Sequence, residues 1–249
     1  MAGIRPAIGR HLCGRVPVCD GSPVIAPLRN GSPARGWFVL TAVVVLVALA
    51  VQVPLSAAVD TGYFDNPLYR GLNVFAFFTI QSNLLVALSA LLSAFDPARD
   101  TLLRRVLRLT SLVAITVTGV VYHSVLAGLV ELSGWGYLAD LLVHTVVPVL
   151  AVLGWVLFGP RGRTGWRVVL LSAVFPVLWL VFTLVRGPLV GGFWPYPFVD
   201  VDQLGWSQVL LNCGGVAVLF LGLAALAHLA DRLLSRSAVT DGVAQRVRD

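Results

Sequence analysis

Lysine is absent from this 249-residue chain, cysteine occurs three times, methionine once, and only 12% of residues are charged. Cys13 and Cys19 enclose a five-residue gap that fits neither a zinc knuckle nor a redox pair, and Cys213 stands alone in an apolar run as a small buried side chain. The cysteines therefore read as incidental, and no disulfide framework is expected. No ten-residue segments of alternating polarity occur, which excludes an outer-membrane barrel. No apolar stretch precedes Gly36, so no cleaved leader is expected. The basic balance, with a pI near 9.9, comes without a recognition element or an aromatic stacking platform, so nucleic acid is excluded as a partner.

What is present is apolar sequence. Hydrophobic residues make up 57% and mean hydropathy is +0.86, against the ~45–50% apolar usage of soluble domains. Six runs, over residues 37–58, 72–95, 109–131, 138–158, 166–185 and 208–229, each approach the ~20 residues a helix needs to cross a ~30 Å hydrocarbon layer. The expectation is an all-α polytopic membrane protein: a six-helix transmembrane bundle over 36–231, a flexible Arg/Pro/Gly-rich tail over 1–35 and a polar tail over 232–249. All but Arg70 and Arg186 of the eighteen arginines fall before run 1, between runs 2 and 3, between runs 4 and 5 or at the very start of run 5 (Arg167), or after run 6. That alternation places both termini in the cytoplasm of a multi-pass plasma (inner) membrane protein.

The connections are short except for GPLVGGFWPYPFVDVDQLGWSQ, beginning at Gly187, where Gly187 reads as a helix end. Trp194, Tyr196 and Phe198 alternate there with Pro195 and Pro197, which forbid an ordinary helix and supply headgroup-zone aromatics. A cap over the extracytoplasmic mouth of the bundle and a simple interfacial anchor both fit.

Polar groups inside the spans cluster by depth. Thr79 lies about 8 residues, or ~12 Å, below the outer end of helix 2, with His123 at a similar depth in helix 3 and His144 ~9 Å down in helix 4. Asn212 is slightly shallower, and Asp140 and Arg186 lie at or above the same mouth, so an outer polar pocket is predicted. Thr79, Ser82 and Asn83 stand at i, i+3 and i+4 on one helix face. Asp140 and His144 are one turn apart, and Pro148, a turn further, lacks the amide that would bond the carbonyl of His144. An imidazole here needs a reason, because ionisable groups at membrane depth are expensive. Plainer duties are available: Thr79 to its own i−4 carbonyl, Asn83, Ser82 or His123 between helices, Arg186 to lipid phosphate.

The strings FFTIQSN, HTVVP and PVLWLVFTLVRG followed by WPYPF resemble the six-helix Pr6Pr membrane proteins of actinobacteria. More distantly, they are similar to the androgen-induced intramembrane hydrolases of animals, which cleave fatty acid esters of hydroxy fatty acids with a threonine and a histidine. The likeness covers residues 37–230 and implies Thr79 as nucleophile and His144 as its base. The Gln/Ser/Asn cluster after Thr79 departs from the animal pattern, and the N-terminal tail lies outside the likeness. The resemblance implies hydrolysis of lipid-like esters drawn from membrane lipid, without a cofactor. Asn83, Ser82 and His123 are the candidate oxyanion donors and Arg186 a candidate for a substrate carboxylate. Two other classes stay open: a non-catalytic small-molecule or lipid binder or transporter using the same pocket, and a haem held between His123 and His144. Zinc on His123, His144 and Asp140 is compatible by residue type, though their spacing matches no strong local motif.

Overall fold

A computed structural model describes residues 31–60 and 62–246, with side chains described to residue 235. The expectations for the first 30 residues, Cys13 and Cys19 included, lie outside the described residues. Within them the chain is all-helical, with no strand. Nine α-helices follow in order: α1 (Ser32–Ala58), α2 (Pro67–Asn73), α3 (Phe78–Phe95), α4 (Leu102–Val121), α5 (Gly134–Leu141), α6 (Val147–Phe158), α7 (Trp166–Ser172), α8 (Val174–Leu189) and α9 (Val201–Arg246). Joined across their breaks, they make six helices long and apolar enough to cross a membrane: Ser32–Ala58, Phe78–Phe95, Leu102–Leu126, Gly134–Phe158, Trp166–Leu189 and Val201–Ser235.

Local chemistry starts and interrupts these helices. Pro67 at the first position of α2 follows Asn66, whose side chain accepts from the Leu68 amide at 2.8 Å, and Thr101 caps α4 by accepting from the Arg104 amide at 3.3 Å. Pro176 cannot donate to the carbonyl of Ser172, and the fifth span breaks there into α7 and α8. The same logic operates before Pro148, where residues Leu142–Val146 relax into a π-helical turn; a second π turn, Tyr122–Leu126, ends the third span. α9 starts at Val201, bends at Gly205 (φ 73°) and continues as helix to Arg246. It therefore takes in part of the stretch read from sequence as cap and as tail.

Small residues let the backbones approach, as expected where lipid supplies no hydrophobic drive between helices. Ala87, Ala90 and Ala94 of α3 and Ala42 and Ala48 of α1 are all buried, with Val45, Leu49 and Ile115 completing the core. α4 is central, and its Leu109, Val113 and Val117 join Val168, Phe220 and Ala224 of α7 and α9 in a second core. At one end of the bundle, Asp231 of α9 accepts hydrogen bonds from the amides of Gly162 and Thr164, both at 3.0 Å, and from the Thr164 hydroxyl at 2.6 Å. Asp100 binds Arg105 and Arg163 at that same end. Burial alone would raise the Asp100 carboxyl, but those two guanidinium bonds prevail and hold it below its ordinary value. Arg70 and Arg186 lie at the other end, which the 190–200 segment covers.

Candidate functional site

The second run was expected to be one continuous helix over 72–95; instead it breaks ahead of Thr79. α2 gives way to a 3₁₀ turn at Val74–Ala76, Phe77 is extended (φ −76°, ψ 136°), and α3 begins at Phe78. A break at membrane depth persists only where freed backbone groups find partners. The Ala76 carbonyl accepts from the Trp179 indole at 2.9 Å, and the Phe75 carbonyl from the Gln81 side chain at 2.9 Å. The Phe77 carbonyl accepts from the Gln81 amide at 3.1 Å, and the Thr79 amide donates to the Tyr196 hydroxyl at 3.0 Å. Thr79 is thus placed in the first turn of α3, where amides have no intrahelical acceptor. Its side chain is released from the i−4 bond that a threonine in mid-helix would make.

The Thr79 hydroxyl lies 3.3 Å from His144 Nε2 and 3.1 Å from the Tyr196 hydroxyl. On the far side of the imidazole, Nδ1 is 2.9 Å from Asp140 Oδ1. The side chains of Asp140 and His144 therefore converge across one turn, a point the sequence left open. Tyr122 completes the frame: its ring stacks on the imidazole, with centroids 4.0 Å apart and planes 7° from parallel, and its hydroxyl donates to Asp140 Oδ2. A carboxylate that accepts the Nδ1 proton fixes the tautomer that leaves Nε2 a lone pair facing Thr79.

The other expected residues divide. Ser82 and Asn83 are fully buried beside Thr79, and both donate to its carbonyl, at 2.9 and 2.8 Å. Asn83 Nδ2 also donates to the Val143 carbonyl at 3.2 Å, and the Ser82 hydroxyl lies 2.9 Å from that of Thr118. Both tie α3 to its neighbours, and their donors are committed. His123 leaves the cluster: its Nε2 pairs with the Thr145 hydroxyl at 3.1 Å on an exposed face. Tyr122 contacts both imidazoles, with the His123 ring edge-on at 5.0 Å, and this arrangement does not fit a haem held between them. Arg186 donates to Asn73 Oδ1 at 2.7 Å and lies over the rings of Phe64 and Phe193, clamping the mouth rather than facing Thr79. Asn212 donates to the Phe198 carbonyl at 2.9 Å and holds the cap segment. Sequence alone does not single out Tyr122, and it leaves Tyr196 in a segment that reads equally as a cap or an interfacial anchor, with no contact to Thr79. The string YHS offers two ring residues side by side, and the π turn decides which faces inward.

The cap penetrates the bundle. Tyr196 is buried, stacked on Phe198 at 5.2 Å and edge-on to Phe77 at 5.6 Å, and burial pushes its phenol up to about 12, so it remains a hydrogen-bond donor. Below it, an apolar cavity of about 190 Å³ reaches Thr79 from between α4, α8 and α9, with Phe78, Val117, Leu180, Cys213 and Phe220 among its walls. Val177 and Leu221, which also line it, are 57% and 43% exposed, so the cavity opens sideways between α8 and α9, where lipid chains would lie.

Gly187 does more than end a helix, since α8 runs on to Leu189 and Gly187 is buried within it. A Cβ there would stand 2.4 Å from the Trp194 ring. Gly187→Ala is expected to displace the indole and the cap with it, destabilising the protein by about 1–3 kcal/mol. Thermal unfolding of the detergent-solubilised variant checks this, and a melting curve equal to wild type would show that the cap does not depend on that contact.

Among the described residues, no group of three or more His, Cys, Asp and Glu is placed to hold a metal ion. No family model, curated protein or solved structure matches the chain.

Proposed function

We propose that this chain is an intramembrane hydrolase of lipid-like esters in which Thr79 is the nucleophile and His144 its general base. The observation that carries the reading is the continuous chain Asp140–His144–Thr79, joined at 2.9 and 3.3 Å, with its hydroxyl end facing an apolar cavity. The likeness of FFTIQSN, HTVVP and WPYPF to the Pr6Pr proteins, and distantly to the androgen-induced hydrolases, supports the same assignment. The arginine distribution supports an extracytoplasmic position for the site in the plasma membrane, with both termini cytoplasmic.

A threonine hydroxyl attacks an ester only when its proton is removed as the bond forms. His144 Nε2 takes that proton while Asp140 stabilises the resulting imidazolium through Nδ1–H. Thr79 Oγ1 bonds to the carbonyl carbon, and the carbonyl oxygen takes the negative charge. Collapse breaks the ester C–O bond, His144 returns its proton to the leaving alkoxide, and an acyl-threonine remains. Water, deprotonated by the same imidazole, then cleaves the acyl-threonine and restores the hydroxyl. With Ser82 and Asn83 committed to backbone and His123 turned away, the oxyanion donor is the Tyr196 hydroxyl, whose proton the Thr79 amide does not use.

Hydrolysis of a long-chain fluorogenic ester by the purified full-length chain, compared with Thr79→Ala, tests the reading. Turnover by wild type, abolished in the variant together with fluorophosphonate labelling at Thr79, is the expected result. Equal turnover would overturn the assignment. Saturable uptake of the ester without hydrolysis would replace the enzyme with a lipid binder or transporter using the same cavity.

A further inference from the structure

At the end of the bundle opposite the cap, a second cavity of about 200 Å³ lies between the start of α1, the end of α3, the start of α4 and the end of α6. It is far above the ~10–15 Å³ that admits a single water. Its walls are of two kinds. Phe38, Phe95 and Phe158 supply apolar wall, and Arg35 and Arg108 are the charged residues that line it. A smaller cavity that shares Phe38, Ser93, Arg108 and Pro160 continues inward from it.

The charges around this cavity are unequally satisfied. Asp96 is bound by Arg104 at 2.7 Å, and Asp100 by Arg105 and Arg163. Arg108 feels Asp100, but that carboxylate is already held by the other two, and Arg163, Arg104 and Arg105 are close enough to act on Arg108 with like charge. Arg35 lies over the Phe95 ring at 5.2 Å. Neither Arg35 nor Arg108 has a carboxylate partner or a side-chain hydrogen bond among the described residues. A half-buried guanidinium that feels three like charges and has no hydrogen-bond acceptor among the described residues is costly unless an anion joins it.

We propose that this cavity binds a phosphate group, with Arg108 as its inner and Arg35 as its outer guanidinium. Two forks from separate helices suit an oxyanion with several acceptors better than a single carboxylate, because each guanidinium presents paired N–H donors to paired oxygens. The aromatic wall suits the carbon skeleton esterified to that phosphate. The phosphate is that of a lipid headgroup or of a soluble phosphate ester. The site is independent of the Thr79 chemistry and stands or falls separately from it.

The full-length chain, purified and placed in nanodiscs of phosphatidylcholine containing a minor fraction of phosphatidylglycerol, is examined by native mass spectrometry for retained lipid, with glycerol phosphate as soluble competitor. Wild type is expected to retain phosphatidylglycerol selectively. Arg108→Gln and Arg35→Gln are each expected to weaken this retention by about tenfold or more, the scale of one lost charge-assisted pair. Arg99→Gln, outside the cavity, is expected to leave it unchanged. Displacement by millimolar glycerol phosphate would assign the site to soluble esters, and resistance to it would assign the site to the lipid; either supports a phosphate site. Because Arg35 is exposed, its variant decides the matter where Arg108→Gln does not fold. Retention equal in wild type and both variants, or none in any, would overturn the proposal.

Discussion

Replacing His144 with alanine is expected to lower long-chain ester hydrolysis by about 10²–10⁴-fold, the range that one positioned acid–base group contributes. The expectation follows from the 3.3 Å approach of Nε2 to the Thr79 hydroxyl, with no other imidazole in reach once His123 has turned to Thr145. The loss should fall on kcat, because the cavity does not include the imidazole among its walls and should still admit the acyl chain. Added imidazole is expected to restore part of the rate to His144→Ala and none to Thr79→Ala. In the proposed mechanism Asp140 acts through His144, 2.9 Å from its Nδ1, as a positioning residue. Asp140→Asn keeps the shape but loses the charge that stabilises the imidazolium, so kcat should fall while KM holds. Initial-rate kinetics of purified, monodisperse variants measure all of this. If His144→Ala retained the wild-type kcat, the Asp140–His144 pair would be a structural tie between turns and the base would lie elsewhere.

The six spans were legible because membrane depth imposes ~20 apolar residues per helix, and nothing but helices meets that demand here. Local spacing also grouped side chains that the fold brings together: Thr79, Ser82 and Asn83 on one face, Asp140 and His144 one turn apart beside Pro148. What spacing could not supply was the break before Thr79, because its partners Trp179 and Tyr196 lie 103 and 117 residues away. No proline or glycine marks that break. Tertiary acceptors and donors made the interruption tolerable, and only the fold brings them there. His123 illustrates the opposite error. Depth puts it level with His144, and it does pair with the adjacent Thr145, but the π turn over Tyr122–Leu126 adds a residue to the hydrogen-bonded ring, and its neighbour Tyr122 faces His144 in its place. Arg186 and Asn212 lie at the expected end, yet each is occupied in holding the mouth or the cap.

Tyr196→Phe is the substitution that separates a cap from a catalytic donor. The ring keeps its places against Phe77, Trp179 and Phe198, so only the hydroxyl is removed. Two interactions go with it: the bond from the Thr79 amide at 3.0 Å and the contact with the Thr79 hydroxyl at 3.1 Å. The first loss leaves a buried amide in the first turn of α3 without an acceptor, which costs about 1–3 kcal/mol of stability. The second removes the donor available to an oxyanion, which lowers kcat by about 10²–10³-fold at little change in KM. The two effects are measured independently, by thermal unfolding in detergent and by steady-state hydrolysis. A lower melting temperature with unchanged kcat would make Tyr196 only an acceptor for the helix end. A fall in kcat beyond what loss of folded protein explains would place the cap in the chemistry. The alternating aromatics and prolines of WPYPF would then serve to hold one hydroxyl at the start of α3, a position their local sequence alone does not reveal.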